Sequence, residues 1–448
     1  MDKWLYIPVE VKVRELQAKL LLAKFAASQG YNVVIGRKSE ILDIIHWLPR
    51  GIFFGMWVPV NFKSLYARLK FKGFKTTGLD EEGLVIFSDE IYTKIRLSKE
   101  TLSYVDTFFA WGEYQANIVK RLTNENTKIS LVGNLRFDLL RPEMRALLKP
   151  EADIIKRNHG RIVLIVSSFA FSNHFSGAEA YMTAQKKSKI IQTPEDEAFF
   201  RRYMELQDKN FEYFIKAIPE LAKKFPEHTF IIRPHPSEKI SVWEDCAQKS
   251  GNIKIDNTGN VHAWIVASEC IVHHFCTTAL EAFAANIPAV AYRPFKDSEL
   301  ESDLPYWGSL EVDCESELVL QLNDILVGNT KRIDLRRQEK LPVLKTYIQN
   351  LDSALCVERI IEEVRGLEVE PESFVDLKLR FFYIRNKVMT ALKWLKASLL
   401  RKGCSAYIDH KFPKFTKEEI ELVFQSIPGD IDLKIEPIAS YCYRIRKA

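Results

Sequence analysis

Short apolar runs alternate with amphipathic helical patterns from residue 4 to about residue 365, and this alternation limits the fold more than any other feature. Runs at 4–9, 32–35, 51–58, 74–79, 105–111 and 129–132 have the length and β-branched content of strands. Between them, 16–29, 39–48, 64–72 and 114–122 carry helical spacing, with Gly30 closing the first helix and Ser39 expected to cap the second. Strands and helices in strict alternation build βαβ units around a mostly parallel sheet. Pro142 and Pro150 mark a boundary, after which a second series opens at Arg161. Its expected strands are 162–166, 229–232, 253–255, 270–273 and 288–292; its helices are 196–225, 241–250, 261–267 and 343–364. The polar stretch 173–195 reads as an irregular lid.

The expected fold class is therefore α/β, with two Rossmann-like domains facing a cleft and a helical basic C-terminal extension. The boundaries are 1–145, 146–367 and 368–448. A net charge of +5 is small for 448 residues and argues against a dedicated nucleic-acid binder. The seven cysteines are scattered and form no C-x-x-C pair, so neither a disulfide framework nor a zinc site is expected. With no signal peptide and no apolar run of ~18 residues, the expected location is the cytoplasm.

The informative polar residues fall in loops at strand carboxyl ends, where open α/β sheets bind ligands. Residues 229–232 run into Arg233-Pro234-His235-Pro236. Each proline fixes its own φ and restrains its predecessor, so the cation and the imidazole sit on a stiff loop suited to an anion. After 270–273, Thr277-Thr278 opens a helix whose free N–H groups make a phosphate site, and Glu281 one turn on could accept ribose hydroxyls. The strands before these two loops are expected to be neighbours. Ser168 lies in the loop after 162–166.

Asp80-Glu81-Glu82 ends the strand at 74–79 and precedes Gly83. Crowded carboxylates raise one another's pKa, which suits a proton donor or acceptor near neutrality. Three acids in a row also describe an ordinary solvated turn. Asp138, again at a strand end, is a second acid, or a helix cap. Two carboxylates in one cleft resemble the pair that glycosyl transfer uses. His273-His274 does not suggest a metal, because neighbours in a strand point to opposite faces.

Residues 377–408 contain no Asp or Glu but carry Lys378, Arg380, Arg385, Lys387, Lys393, Lys396, Arg401 and Lys402 among Phe, Trp and Leu. That pattern predicts a basic amphipathic segment lying on an anionic membrane surface, or else a helix packed on the domains with a solvated basic face.

Arg233-Pro234-His235-Pro236 resembles the HP motif of bacterial sialyltransferases and related Kdo transferases. Asp80-Glu81-Glu82-Gly83 resembles their acidic motif, and Thr277-Thr278 their Ser/Thr motif. The segments 4–15 and Gly133-Asn134-x-Arg136-Phe137-Asp138 are similar to bacterial surface carbohydrate biosynthesis proteins, a group similar to retaining β-Kdo glycosyltransferases. The resemblance implies a GT-B fold and a glycosyltransferase moving Kdo or a related ulosonic acid from a CMP-activated donor. The acceptor would be lipid-linked or an oligosaccharide of a capsule or lipopolysaccharide, reached from the inner face of the cell membrane. No metal or other cofactor is expected, and no nucleic-acid partner.

Carried over, the donor-binding set is Arg233, His235, Pro236, Ser168, Thr277, Thr278 and Glu281. The catalytic set is Asp138 as nucleophile, with Glu81 and Glu82 as acid or base and Asp80 as the second choice for nucleophile. Glu10, Lys12 and Arg14 are the expected acceptor contacts. The Thr-Thr pair and the extra acid depart from the sialyltransferase pattern, which leaves the division of labour among the carboxylates open. Two other readings fit the same loops: a CDP-glycerol type polyol-phosphate transferase, and a non-catalytic sugar-nucleotide-binding assembly protein.

Overall fold

The computed structural model describes residues 3–84, 89–123, 126–187, 190–370, 388 and 412–448. These form two compact α/β units, each with its own sheet.

The first unit draws on 1–83, 96–139 and 346–448. Its strands are β1 (Lys3–Val9), β2 (Tyr31–Arg37), β3 (Ile52–Gly55), β4 (Lys75–Leu79), β5 (Thr107–Ala110) and β6 (Lys128–Leu131). The second unit, 84–95 and 140–345, holds β7 (Ile162–Val166), β8 (Thr229–Arg233), β9 (Ile253–Ile255), β10 (Cys270–His273), β11 (Ala289–Tyr292) and β12 (Leu310–Val312). Two further strands, β13 (Leu433–Ala439) and β14 (Cys442–Lys447), return to the first sheet.

The order in the first sheet is β13-β14-β2-β1-β3-β4-β5-β6, parallel from β2 to β6. The second sheet is wholly parallel, in the order β12-β11-β10-β7-β8-β9. Read from β9, this is the doubly wound Rossmann order, with winding reversing between β7 and β10. Its central strands are apolar throughout because helices cover both faces. Val163, Ile165, Phe230, Ile232, Val272 and Val290 pack with Trp243 and Phe214 from flanking helices.

Three departures from the sequence reading have clear causes. The chain was expected to finish the second unit with one helix at 343–364. Instead a helix Lys331–Tyr347 ends, and the chain enters the first unit near Thr346 before a separate helix, Cys356–Arg365. Asn350 enforces the break: its Oδ1 accepts from Asn134 N (3.1 Å) while its Nδ2 donates to Asn134 O (3.0 Å) and Asp138 Oδ1 (2.6 Å). Gly133 (φ +89°) is required beside it, since a Cβ there would collide with the Asn350 side chain.

The second departure is at the C-terminus. Residues 412–448 do not form a helical extension; helix Lys417–Ser426 is followed by the hairpin β13–β14, whose inner strand pairs antiparallel with β2. Ile435 and Ile438 are the buried residues of the outer strand, and the register shift between Pro437 and Ala439 breaks the plain alternation that would mark a strand. The hairpin covers what would be an open edge at β2, and Pro437 sits at its register shift, where a missing N–H is tolerated. Gly36 is needed because a Cβ would strike Tyr441 O, and Arg37 lies over the Tyr441 ring at 4.2 Å. The basic segment 377–408 lies outside the described residues except for exposed Val388.

Third, the expected irregular lid contains helix Ala178–Lys187, with Met182 and Ile191 buried against Phe200 of the long helix Pro194–Lys224. Ser39 also fails to cap: its helix starts one residue earlier, at Lys38, with no side-chain cap.

A buried charge cluster fixes the start of the first unit. Lys19, fully enclosed, donates to Glu15 (2.8 Å), to Pro8 O (2.8 Å) and reaches Glu81 (3.0 Å). Burial would raise the Glu15 carboxyl, but Lys19 and Arg14 outweigh it and bring it down to about 2. A depressed carboxylate contributes stability that is complete above its unfolded value and is lost as pH falls from about 4.5 towards 2. Glu15→Gln should therefore destabilise the protein by roughly 3–5 kcal/mol at pH 7, the cost of leaving a buried lysine under-neutralised. Urea unfolding at pH 7 and pH 3 checks this: the gap between variant and wild type should shrink at pH 3, and an equal gap at both would refute the linkage.

Candidate active site

The second unit gathers most of the expected donor residues at the carboxyl end of its sheet. The strands before the two key loops are not neighbours as expected, because β7 lies between β8 and β10. This brings Ser168, after β7, between the His235 loop and the Thr277-Thr278 helix. Three consecutive strand ends, flanking the point where winding reverses, thus carry the polar groups.

Glu238 builds this edge, and the sequence reading missed it. Its Oε1 accepts from Ser167 Oγ (2.8 Å), Phe169 N (2.9 Å) and His235 N (3.3 Å). Its Oε2 accepts from Ser167 Oγ (2.6 Å) and Trp243 Nε1 (2.9 Å). One buried carboxylate thereby ties the loop after β7, the loop after β8 and the helix Ile240–Ala247 together. Burial raises its pKa; the hydrogen bonds from Ser167, Trp243, His235 and Phe169 oppose that shift without cancelling it.

His235 is exposed in the turn that Glu238 closes, as is Pro236. Its Nδ1 accepts from Ser237 N (3.2 Å), so the proton of the neutral ring sits on Nε2 and points a donor outward. Packing around the ring and the neighbouring His174 hold the imidazole below its usual range.

Thr277 precedes helix Thr278–Ala285 in helical conformation and makes no side-chain cap bond. The helix start is tightened by Ala279 N to Cys276 O (3.2 Å) and Leu280 N to Thr277 O (2.9 Å). The Ser168 Oγ is buried with no hydrogen-bond partner among the described residues.

Two donor-site expectations need correction. Arg233 does not extend from the loop as a free cation. Its Nη1 donates to Asp256 O (2.8 Å) and Thr258 O (2.9 Å), its Nη2 to Gly259 O (3.3 Å), and the guanidinium lies 5.1 Å from the Trp264 ring centre. Burial brings its pKa down to about 10. Arg233 is thus a fastener for the loop after β9. Glu281 is buried and its Oε1 lies 3.2 Å from the buried His262 Nε2, so its carboxylate is engaged inside the protein.

The adjacent histidines do diverge as strand geometry requires. His273 meets Ser309 Oγ (2.7 Å), whereas His274 meets Tyr292 O (3.1 Å) and Glu301 (3.3 Å).

In the first unit the acids are not left to repel one another. Glu81 pairs with Lys19, and Glu82 bonds Arg14 (2.7 Å) and Arg96. Asp80 is almost fully buried and its Oδ1 accepts from Glu82 N (3.0 Å). Pairing with cations takes the place of the mutual repulsion expected from their spacing. Glu82, with 34 % of its side chain exposed, is the most accessible of the three. Of the expected acceptor residues, Arg14 joins Glu82, Glu10 bridges Lys38 (2.7 Å), and Lys12 bridges Glu419 (2.7 Å).

Asp138, expected as nucleophile, is fully buried. Its Oδ1 accepts from Asn350 Nδ2 (2.6 Å) and Cys356 N (2.8 Å), and its Oδ2 from Val357 N (2.8 Å). It caps the helix Cys356–Arg365 from outside, and the Gly133-Asn134 motif is the socket for that returning chain.

No protein-family model matches the sequence, and no curated protein matches it. Among solved structures, the UDP-GlcNAc 2-epimerase from Neisseria meningitidis, bound to UDP-GlcNAc, is similar at TM-score 0.50 and 13% identity, over 82% of this chain and 99% of that one. A putative UDP-N-acetylglucosamine 2-epimerase from Listeria monocytogenes gives 0.51 and 11%, over 82% and 96%. The wall teichoic acid polymerase TagF gives 0.50 and 10%, over 81% and 88%. At such identities the likeness establishes the fold: two Rossmann-like units of GT-B type.

Two substitutions separate structure from chemistry. Glu238→Gln places an amide donor against Trp243 Nε1 or the loop N–H groups, and should cost about 2 kcal/mol and loosen the His235 turn. A chemical denaturation midpoint equal to wild type would refute this. Asp138→Asn should cost about 2–3 kcal/mol for its charge-assisted bonds yet leave turnover close to normal while folded; abolished turnover with an unchanged melting temperature would restore Asp138 to the chemistry.

Proposed function

We propose that this chain is a glycosyltransferase that holds a nucleotide-activated sugar at the carboxyl end of the second unit's sheet. The observation that carries the reading is the convergence of the Ser168 loop, the Thr277-Thr278 helix start and the His235 turn at the winding reversal, with Glu238 binding two of them together. The helix start offers backbone N–H groups, and His235 adds an Nε2–H. Both stabilise a phosphate that gains charge as the glycosidic bond breaks.

The finer reading is a CMP-activated ulosonic acid, Kdo or a relative, passed to a lipid-linked or oligosaccharide acceptor of a capsule or lipopolysaccharide. It rests on the order of the His-Pro, acidic and Thr-Thr motifs, all at strand ends. The phosphate contacts come from the protein, so this reading calls for no metal. With Asp138 and Glu81 held by buried partners, Glu82 is the carboxylate assigned to acid–base work. Arg14 and Arg96 fix its position.

Thermal shift with single nucleotides is the first test: CMP should raise the melting temperature where UMP and GMP do not. Stabilisation by UMP alone would overturn the donor class. Incubation with CMP-Kdo and, separately, CDP-glycerol then decides the reaction, since turnover of CDP-glycerol alone identifies a polyol-phosphate transferase. Binding with no turnover of either identifies an assembly protein. In the favoured case Glu82→Gln should lower kcat by ~10²–10⁴-fold while the variant stays folded.

No helix among the described residues is long and apolar enough to cross a membrane. The basic segment 377–408 supports a peripheral site on the cytoplasmic membrane face. Vesicles containing an anionic phospholipid should retain the protein at low salt. They should release the variant carrying Glu at 393, 396, 401 and 402, and equal retention of both would exclude this segment as the anchor.

A further inference from the structure

The turn that carries His235 holds a second imidazole, His174, which comes from the far side of the loop after β7. Asn173–Phe175 runs alongside Ser237–Lys239. His174 bridges antiparallel to Glu238, and Phe175 N donates to Ser237 O (2.9 Å). Lys239 N donates to Asn173 O (2.8 Å), and Asn173 Nδ2 to Lys239 O (3.0 Å). Glu238 N in turn closes onto His235 O (2.8 Å). The two histidines, far apart in sequence, are thus built into one short piece of backbone.

Their rings are set up alike. His235 Nδ1 accepts from Ser237 N, two residues on, at 3.2 Å, and His174 Nδ1 accepts from Ser176 N, two residues on, at 3.2 Å. Ser176 Oγ also lies 2.6 Å from His174 Nδ1. In both neutral rings the proton is therefore placed on Nε2, and neither Nε2 has a hydrogen-bond partner among the described residues. The His174 ring is wedged between Phe175 (4.6 Å between ring centres) and Tyr181 (5.0 Å), so its direction is fixed by packing. An aromatic clamp on a partly buried histidine, with one ring nitrogen satisfied and the other left without a partner among the described residues, is the arrangement of a ligand-binding donor. His174 also helps to depress His235, as two imidazoles close enough to repel when charged must.

We infer that His174 is a second anion-binding imidazole of the donor site, donating from Nε2 to a phosphoryl oxygen of the bound nucleotide alongside His235. This deepens the proposed function and rests on its donor site. It makes the phosphate subsite two-pronged, with one prong from β8 and one from the segment after β7.

Asn and Gln separate the ring's two roles. Asn places an acceptor near Nδ1, keeping the bond from Ser176 N, but has nothing at Nε2. Gln reaches the Nε2 position with an N–H. Calorimetry with CMP and UMP, with cytidine and uridine as controls lacking phosphate, should show His174→Asn weakening the nucleotide about tenfold, as one charge-assisted bond is lost. Nucleoside binding should be unchanged, and His174→Gln should restore most of the nucleotide affinity. Nucleotide affinity equal to wild type in His174→Asn, or equal weakening in both variants, overturns the inference while leaving the donor site intact. Failure of the wild type to bind any nucleotide removes the donor site itself and the inference with it. An NMR titration of the wild-type imidazole C–H signals does not depend on how the variants fold. Nucleotide should raise the pKa of both His174 and His235; a shift confined to His235 overturns the assignment.

Discussion

The second unit's site depends on one buried carboxylate meeting donors from separate chain segments. Glu238 takes N–H and O–H groups from the loops after β7 and β8 and from the indole of Trp243. A buried carboxylate without such partners would cost several kcal/mol, so the surrounding loops are held to the geometry that satisfies it. The His235 turn, the Ser168 loop and the paired segment bearing His174 all take their positions from this constraint. In the proposed donor site such rigidity would serve binding, because an anion site assembled in advance spends little on ordering itself.

The same physics changes the meaning of the acidic motif in the first unit. A run of carboxylates suggests mutual repulsion and raised proton affinity. Here Lys19 is enclosed between Glu15 and Glu81, and Arg14 and Arg96 meet Glu82. Buried charges persist only when paired, and each pair fixes two segments against each other. The cluster therefore connects β1, the helix Lys12–Ser28 that follows it and the end of β4, and leaves Glu82 as the acid with solvent access. Asp138 illustrates a second outcome, where burial and bonds from Asn350 and two backbone N–H groups give a carboxylate a structural role.

Arginines followed a parallel course. Arg233 looked like a phosphate ligand because it precedes Pro-His-Pro. Strand alternation sends its side chain towards the loop after β9, where three carbonyls and an indole face receive it. The imidazole two residues later, on the turn, is the group with an open donor. A single motif thus contains one structural and one candidate binding residue, and only their partners distinguish them.

The strand–helix alternation, the two α/β units and the placement of polar loops at strand ends were all legible in the sequence, because hydrophobic period and proline stiffness act over a few residues. Glu238 was not, since nothing local marks a glutamate three residues past a histidine as buried. His174 lay in a polar stretch with no periodic signal, and its pairing with 237–239 spans more than 60 residues. The antiparallel return of β14 onto β2 and the re-entry of the chain at Thr346 join segments hundreds of residues apart. The sequence by itself determined which elements form and where polar side chains leave the sheets. Tertiary structure decided which of those side chains are neutralised by distant partners, because burial and pairing depend on neighbours that local sequence does not supply.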